Sequence, residues 1–172
     1  MNQVGKSERA TQNRVIALFR DELRYRYLGD WSDRPANSNI DEPLLTAYLT
    51  QAGYAPEQIT RASHLLQVEA NNPNRSLYDN NKAVYSLLRY GVDVQTRAGQ
   101  PHEKIKLINW AQPEKNDFAI AEEVTLRGNL ERRPDLVLYV NGLAVAVIEL
   151  KNSYVSIGDG NRLPVRHEEW EC

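Results

Sequence analysis

Hydrophobic positions recur in two rhythms along this chain, at helical spacing through residue 90 and in alternation afterwards. Val15, Leu18, Phe19 and Leu23 follow one another at three- and four-residue steps behind Ser7, a good N-cap, which predicts a first helix with one buried stripe, ending before Gly29. Asp41, Glu42 and Pro43 make a helix start, Leu44, Leu45, Tyr48 and Leu49 its apolar face and Gly53 its stop. Pro56 opens a third helix carrying Ile59, Ala62, Leu65 and Leu66, and a fourth runs from Ser76 through Leu77, Val84, Tyr85 and Leu88 to Gly91.

Beyond Gly91 the pattern is that of strands. Val92 and Val94 precede a turn at Gly99, and Ile105 and Leu107 alternate with Lys104 and Lys106, so each segment has one wet face. Phe118, Ile120, Val124 and Leu126 suggest a further strand closed by Arg127-Gly128-Asn129, with Glu122 and Glu123 as strand-face charges available to Lys104 or Lys106. The runs Leu136 to Val140 and Leu143 to Leu150 flank Asn141-Gly142, a favoured hairpin turn. Both runs are apolar at odd and even positions, so both strands are expected in the middle of a sheet. Helices first and strands after give an α/β (α+β) domain with a central mixed sheet flanked by helices.

Composition narrows the function. The chain has 172 residues, 41% hydrophobic and 26% charged, enough for one domain with a real core. Its polar N-terminus lacks a secretory signal and no apolar run reaches the ~18 residues of a membrane span, so a cytoplasmic location is expected. The single cysteine, Cys172, allows no internal disulfide and no cysteine-rich zinc site. A net charge of −2 excludes a strongly basic nucleic-acid binder; any phosphate would have to meet a local patch or a metal. With only His64, His102 and His167 available, no Ser-His-Asp or Cys-His arrangement stands out. The nine tyrosines, Trp31 and Trp110 show no repeated stacking spacing and are expected in the core or at its rim.

Three charges stand out against the apolar hairpin: Asp135 at its entrance, and Glu149 and Lys151 at its exit. Such groups need pairing, hydrogen bonds or a metal. A two-residue loop at Asn141-Gly142 would set Asp135 opposite Ile148, on the wrong face. A three-residue loop with Gly142 left-handed would set it opposite Val147, sharing a face with Glu149 and Lys151. If the three form a site, a bulged turn or an equivalent irregularity near Asp135 is required. Two converging carboxylates with the Leu150 carbonyl suit Mg²⁺, and a nearby Lys adds the parts of phosphodiester hydrolysis. The alternative is a Pro-Asp turn with a cross-strand ion pair.

Pro134-Asp135 followed by Glu149-Leu150-Lys151 resembles the PD-(D/E)xK motif of restriction-endonuclease-like folds. The wider text is similar to the N-terminal nuclease region of the restriction (R) subunit of type I restriction-modification enzymes. It comprises Tyr85-Ser86-Leu87-Leu88-Arg89-Tyr90-Gly91-Val92, Asn116-Asp117-Phe118, Glu131-Arg132-Arg133-Pro134-Asp135-Leu136-Val137 and Val140-Asn141-Gly142 through Asn152. The resemblance implies Mg²⁺-dependent endonucleolytic cleavage of double-stranded DNA, with Mn²⁺ as a substitute. Asp135 and Glu149 would be the metal carboxylates and Lys151 the residue orienting water. It also implies an acidic residue from the first helix, for which Glu8 is the candidate and Gln12 the second possibility; the plainer reading of both is a solvated helix face. Arg127, Arg132 and Arg133 precede the site in sequence and are candidate phosphate contacts, or a solvated charged loop. Methyltransferase and specificity subunits are the implied partners. ATP would act only through a motor, since these residues contain no G-x-x-x-x-G-K-[ST] loop. Residues 1–160 are expected to form the nuclease domain with its helical N-terminal region, and residues 161–172, interrupted by Pro164, an atypical, truncated or artificial tail. A non-catalytic docking module on the same fold is the alternative.

Overall fold

The computed structural model describes residues 8–97, 99, 101–126 and 132–151. The chain divides into two compact units, the first from the described parts of Met1–Ser38, Phe118–Tyr139 and Ala144–Glu171, the second from Asn39–Asp117 with Val140–Leu143.

In the second unit the helix signals act as local chemistry dictates. Helix α2 (Glu42–Gln51) is capped by Asp41, whose Oδ1 accepts from the Leu44 N–H at 3.1 Å, and it buries Leu45, Tyr48 and Leu49. Helix α3 (Pro56–Ala70) starts on proline, where Gln58 reaches back to accept from the Ala55 N–H at 2.8 Å, and buries Ile59, Ala62 and Leu66. Helix α4 (Leu77–Tyr90) is capped by Ser76, accepting from the Asp79 N–H. Strands β2 (Val92–Val94) and β3 (Glu103–Ile105) pair antiparallel, with Val92 opposite Ile105. Gly91 joins α4 to β2 at φ +86°, where a Cβ would stand 2.9 Å from the Ile105 carbonyl oxygen, so only glycine fits. Leu45, Leu49, Leu66, Val92, Val94, Ile105 and Leu107 make the core of this unit. Leu107 lies just past β3 rather than within it.

In the first unit, helix α1 (Glu8–Ala17) continues into a π-helical turn, Leu18–Glu22. Strand β1 (Arg26–Asp30) follows, where the sequence reading expected helix up to Gly29. The Tyr25 N–H returns to the Phe19 carbonyl at 2.9 Å, and Arg24 takes φ +61°, which ends the helix. The wider turn carries Leu18 and Leu23 out to solvent, and Ile16 with half-buried Val15 and Phe19 forms the inner face instead. Ser7, its expected cap, lies outside the described residues.

The sheet of this unit has four strands in the order β1-β4-β5-β6, with β4 (Phe118–Glu122), β5 (Leu136–Val140) and β6 (Leu143–Ile148). β1 runs parallel to β4, Tyr27 beside Ile120, and the hairpin adds antiparallel pairing, so the sheet is mixed and the class α+β. Ile16, Ile120 and Leu136 form its core cluster, with Tyr25, Tyr27, Leu138 and Ile148 packed around them. β5 is internal and largely buried, as its two-faced apolarity predicts. β6 is instead an edge strand with Val145 and Val147 exposed; alternation cannot distinguish a strand that is covered from one awaiting cover. Trp31 is buried against Tyr139, ring centroids 5.4 Å apart, whereas Tyr85, expected inside, is exposed. No helix among the described residues is long and apolar enough to cross a membrane.

The hairpin turns in two residues, not three. Asn141 and Gly142 both take positive φ, +54° and +82°, as a mirror-image type I turn requires. Tertiary bonds hold Asn141 there: its Oδ1 accepts from the Asp117 N–H at 2.7 Å, and its Nδ2 donates to the Leu107 carbonyl at 2.9 Å and to Asn116 Oδ1 at 2.8 Å. A Cβ on Gly142 would lie 2.6 Å from the Leu45 nitrogen and 2.7 Å from the Asp41 carbonyl oxygen. Gly142→Ala is therefore expected to destabilise the chain by about 2–4 kcal/mol and Asn141→Ala by about 2–3 kcal/mol, read as a drop in the urea midpoint at unchanged slope.

Candidate functional site

Pro134 and Asp135 lead into β5, and Asp135 sits in a bend one residue before the strand begins. Its carbonyl accepts from the Glu123 N–H at 2.9 Å. Its side chain turns the other way, Oδ2 accepting from the Leu150 N–H at 2.5 Å. β6 ends at Ile148, so Glu149-Leu150-Lys151 passes Asp135 outside any strand. The bulged turn expected at Gly142 is absent; an irregularity at Asp135 brings the two segments together, by a hydrogen bond rather than by strand parity.

Carboxylates predominate at this point. The Glu149 carboxyl is pushed above the usual carboxylate range by partial burial first and by the Asp135 charge second, while Lys151 opposes the shift. Glu8 at the start of α1 and Glu123 after β4 push it in the same direction. Glu8, Glu123, Asp135 and Glu149 thus share a neighbourhood with Lys151, an arrangement that favours a cation.

Beneath it lies a buried polar cluster. Glu122, the last residue of β4, is 3% exposed, and its charge is met from two other elements. From α1, Arg9 donates through Nη1 at 2.6 Å and Gln12 through Nε2 at 3.0 Å; from β1, the Tyr27 hydroxyl donates to Oε1. Burial, then the bond to Glu122, pushes the Tyr27 phenol up to about 12. Gln12 Nε2 also lies 3.2 Å from Glu123 Oε1 and 3.4 Å from the Asp135 carbonyl oxygen. Gln12 is therefore buried in the cluster beneath Asp135 rather than on a solvated helix face. Glu122 and Glu123 do not pair with Lys104 or Lys106; Lys104 bridges to Asp93 at 3.0 Å.

Among the remaining predicted residues, Arg133 Nε holds Glu123 Oε2 at 3.2 Å, and Arg132 joins the chain to Leu126 through two backbone hydrogen bonds. Arg127 lies outside the described residues. Among the described residues no group of three or more His, Cys, Asp and Glu is arranged to hold a metal, so the site offers two carboxylates and not a ligand cage. Sequence reasoning missed Arg9, Tyr27 and Glu122. The signal for Tyr27 was the alternation in Tyr25-Arg26-Tyr27-Leu28; the signal for Glu122 was a carboxylate closing the apolar run from Phe118.

Residues 5–168 match the family described as Type I restriction enzyme R protein N terminus (HSDR_N). The chain is also similar to the MjaVIIIP endonuclease subunit assigned to a type I restriction enzyme in Methanocaldococcus jannaschii, 38% identical over 58 residues, or 34% of this chain and 6% of that protein. The type I restriction enzyme HindI endonuclease subunit of Haemophilus influenzae is 37% identical over 76 residues, 42% of this chain and 7% of that protein. The matched stretches are a small part of these much longer relatives. The family match spans nearly the whole chain, the mixed sheet agrees with a restriction-endonuclease-like fold, and the chain belongs to the family of type I restriction enzyme R protein N-terminal regions.

Proposed function

We propose that the chain is the metal-dependent nuclease module of a type I restriction endonuclease, cutting double-stranded DNA at the Asp135–Glu149–Lys151 site. The observation that carries this reading is the bond from the Leu150 N–H to the Asp135 carboxylate. It draws the Pro134-Asp135 bend against Glu149-Leu150-Lys151 and uses one of the two Asp135 carboxylate oxygens.

The residues fit a hard divalent cation. Partial burial first and the Asp135 charge second disfavour the ionised form of Glu149, a penalty that a cation beside the two carboxylates would offset. Mg²⁺ needs only one or two carboxylates with carbonyl and water oxygens, so Asp135, Glu149 and the Leu150 carbonyl suffice, and Mn²⁺ suits the same oxygens. When bound, the ion would supply charge neutralisation at the phosphate and a more acidic water. Lys151 holds the attacking water and offsets phosphate charge. Gln12, fixed by Glu122, holds the Asp135 backbone in place. Arg132 and Arg133 meet the DNA backbone, Arg133 exchanging Glu123 for phosphate. The methyltransferase and specificity subunits supply recognition, ATP is used by a separate motor, and the module works in the cytoplasm, where its DNA lies.

Calorimetric titration of Mg²⁺ and Mn²⁺ is expected to show binding that is lost in Asp135→Ala and Glu149→Ala, with metal-dependent plasmid nicking lost in parallel. Asp135→Asn, which can still accept from Leu150, separates loss of charge from loss of fold. Retained metal binding in all three variants overturns the reading, and an unbinding wild type leaves a docking scaffold.

Glu149 sets a pH dependence. Its folded carboxyl binds a proton more tightly than the unfolded one, so without a cation stability falls as pH rises from the ordinary carboxylate range through the raised folded value. Glu149→Gln is expected to raise the metal-free Tm at neutral pH, with the gain vanishing below the ordinary carboxylate range, and to abolish any rise in Tm on adding Mg²⁺.

Gln12→Ala is expected to speed amide exchange at Leu150 and Glu123 by about five- to tenfold, while the Ile120 and Leu136 amides keep their protection. Uniform loss of protection would make Gln12 a general packing residue instead.

A further inference from the structure

The outermost line of helix α4 has a composition that a solvated helix face does not need. Tyr78, Lys82, Tyr85 and Arg89 stand at steps of four, three and four residues, which places them within about 60° of one another along some 16 Å of helix. The opposite side is filled by buried Asn80 and half-buried Leu77, Val84, Leu87 and Leu88. Tyr78 is 73% and Tyr85 61% exposed, and both cations are exposed as well. The line is extended by Trp110, 51% exposed, whose Nε1 donates to the Leu88 carbonyl at 2.8 Å and whose ring lies 5.3 Å from the Arg89 guanidinium. Asp79, the one acidic residue of the helix, is turned back to Ser76, whose hydroxyl donates to it at 2.6 Å. Tyrosines that are scattered in sequence therefore form an alternating aromatic and basic ridge.

We propose that this ridge is a duplex-DNA docking surface, with Lys82 and Arg89 on phosphates and Tyr78, Tyr85 and Trp110 packed on the sugar-phosphate backbone. Charge complementarity selects the occupant. The line holds two cations and no carboxylate on a chain of net charge −2, which suits a polyanion. It holds no Leu, Ile, Val or Met, the side chains with which a partner helix would pack. Tyr hydroxyls and Lys and Arg side chains are ordinary phosphate donors. The proposal rests on the nuclease reading only in choosing DNA among polyanions.

The test is fluorescence anisotropy of a short labelled duplex with the whole chain, over a salt series without divalent cation. The wild type is expected to bind with log K falling linearly in log salt. Lys82→Ala/Arg89→Ala should flatten that slope by about 1.8, two released phosphate contacts at about 0.9 each. Arg89→Lys should keep the slope, and Tyr85→Ala should weaken binding severalfold at every salt concentration with the slope unchanged. All three altered positions are solvent-facing, so circular dichroism should show every variant folded. An unchanged slope in the double variant overturns the proposal, as does a wild type with no salt-dependent binding. It is also overturned if the variants lose self-association in sedimentation instead of DNA binding, which would make the ridge an interface between copies. The two readings fail separately: a chain that binds DNA through α4 but holds no metal refutes only the catalytic site. One that holds metal at Asp135 and Glu149 with an unaltered salt slope refutes only the ridge.

Discussion

A carboxylate buried at the end of β4 is the constraint around which the first unit is organised. An isolated ion in that position would be prohibitively costly, so Glu122 is tolerable only with donors on several sides. Those donors come from α1 and β1, which commits a helix and an edge strand to fixed positions against the sheet. Replacing the network with apolar side chains could make a stabler protein, but not one that points an amide at the Asp135 backbone. The cluster is thus better understood as a positioning device than as a source of stability.

The hairpin shows the same division between local preference and tertiary control. Asn-Gly is a strong turn signal, yet it is compatible with two loop lengths, and the bulged one was expected only on the condition that Asp135 share a strand face with Glu149 and Lys151. The choice falls to a two-residue turn because the Asn141 side chain has three partners in its own unit and Gly142 lies against the start of α2 with no room for a side chain. With the shorter turn, strand parity cannot bring Asp135 to Glu149 and Lys151. The two segments meet nonetheless, because Asp135 stands in a bend before the strand and its carboxylate accepts from the Leu150 N–H.

The local electrostatics follow from that bend. Partial burial and Asp135 together hold Glu149 above its usual range, an arrangement that lowers stability in the absence of a cation. A fold that tolerates such repulsion while it satisfies the neighbouring Glu122 so fully treats its carboxylates in two ways. Glu122 is locked into the scaffold, whereas Glu149 is left exposed beside Asp135.

By itself the sequence determined the local elements whose stop and start chemistry is carried by single residues: Asp41 and Ser76 as caps, Pro56 as an opener, and Gly91 as a stop. It determined the α+β class and, through the resemblance carried by Pro134-Asp135 and Glu149-Leu150-Lys151, the family to which the chain belongs. What it left open depended on interactions between distant segments. The helix was expected to run on to Gly29 because helical period and a short strand overlap in Tyr25 to Leu28, and β4 had to be present for β1 to pair. β6 read as central because an apolar strand looks the same at an edge as in the middle. Gln12 and Glu122 looked like surface residues because burial of a polar side chain depends on partners more than a hundred positions away. Periodicity reports the faces of an element; only the assembled structure decides what those faces meet.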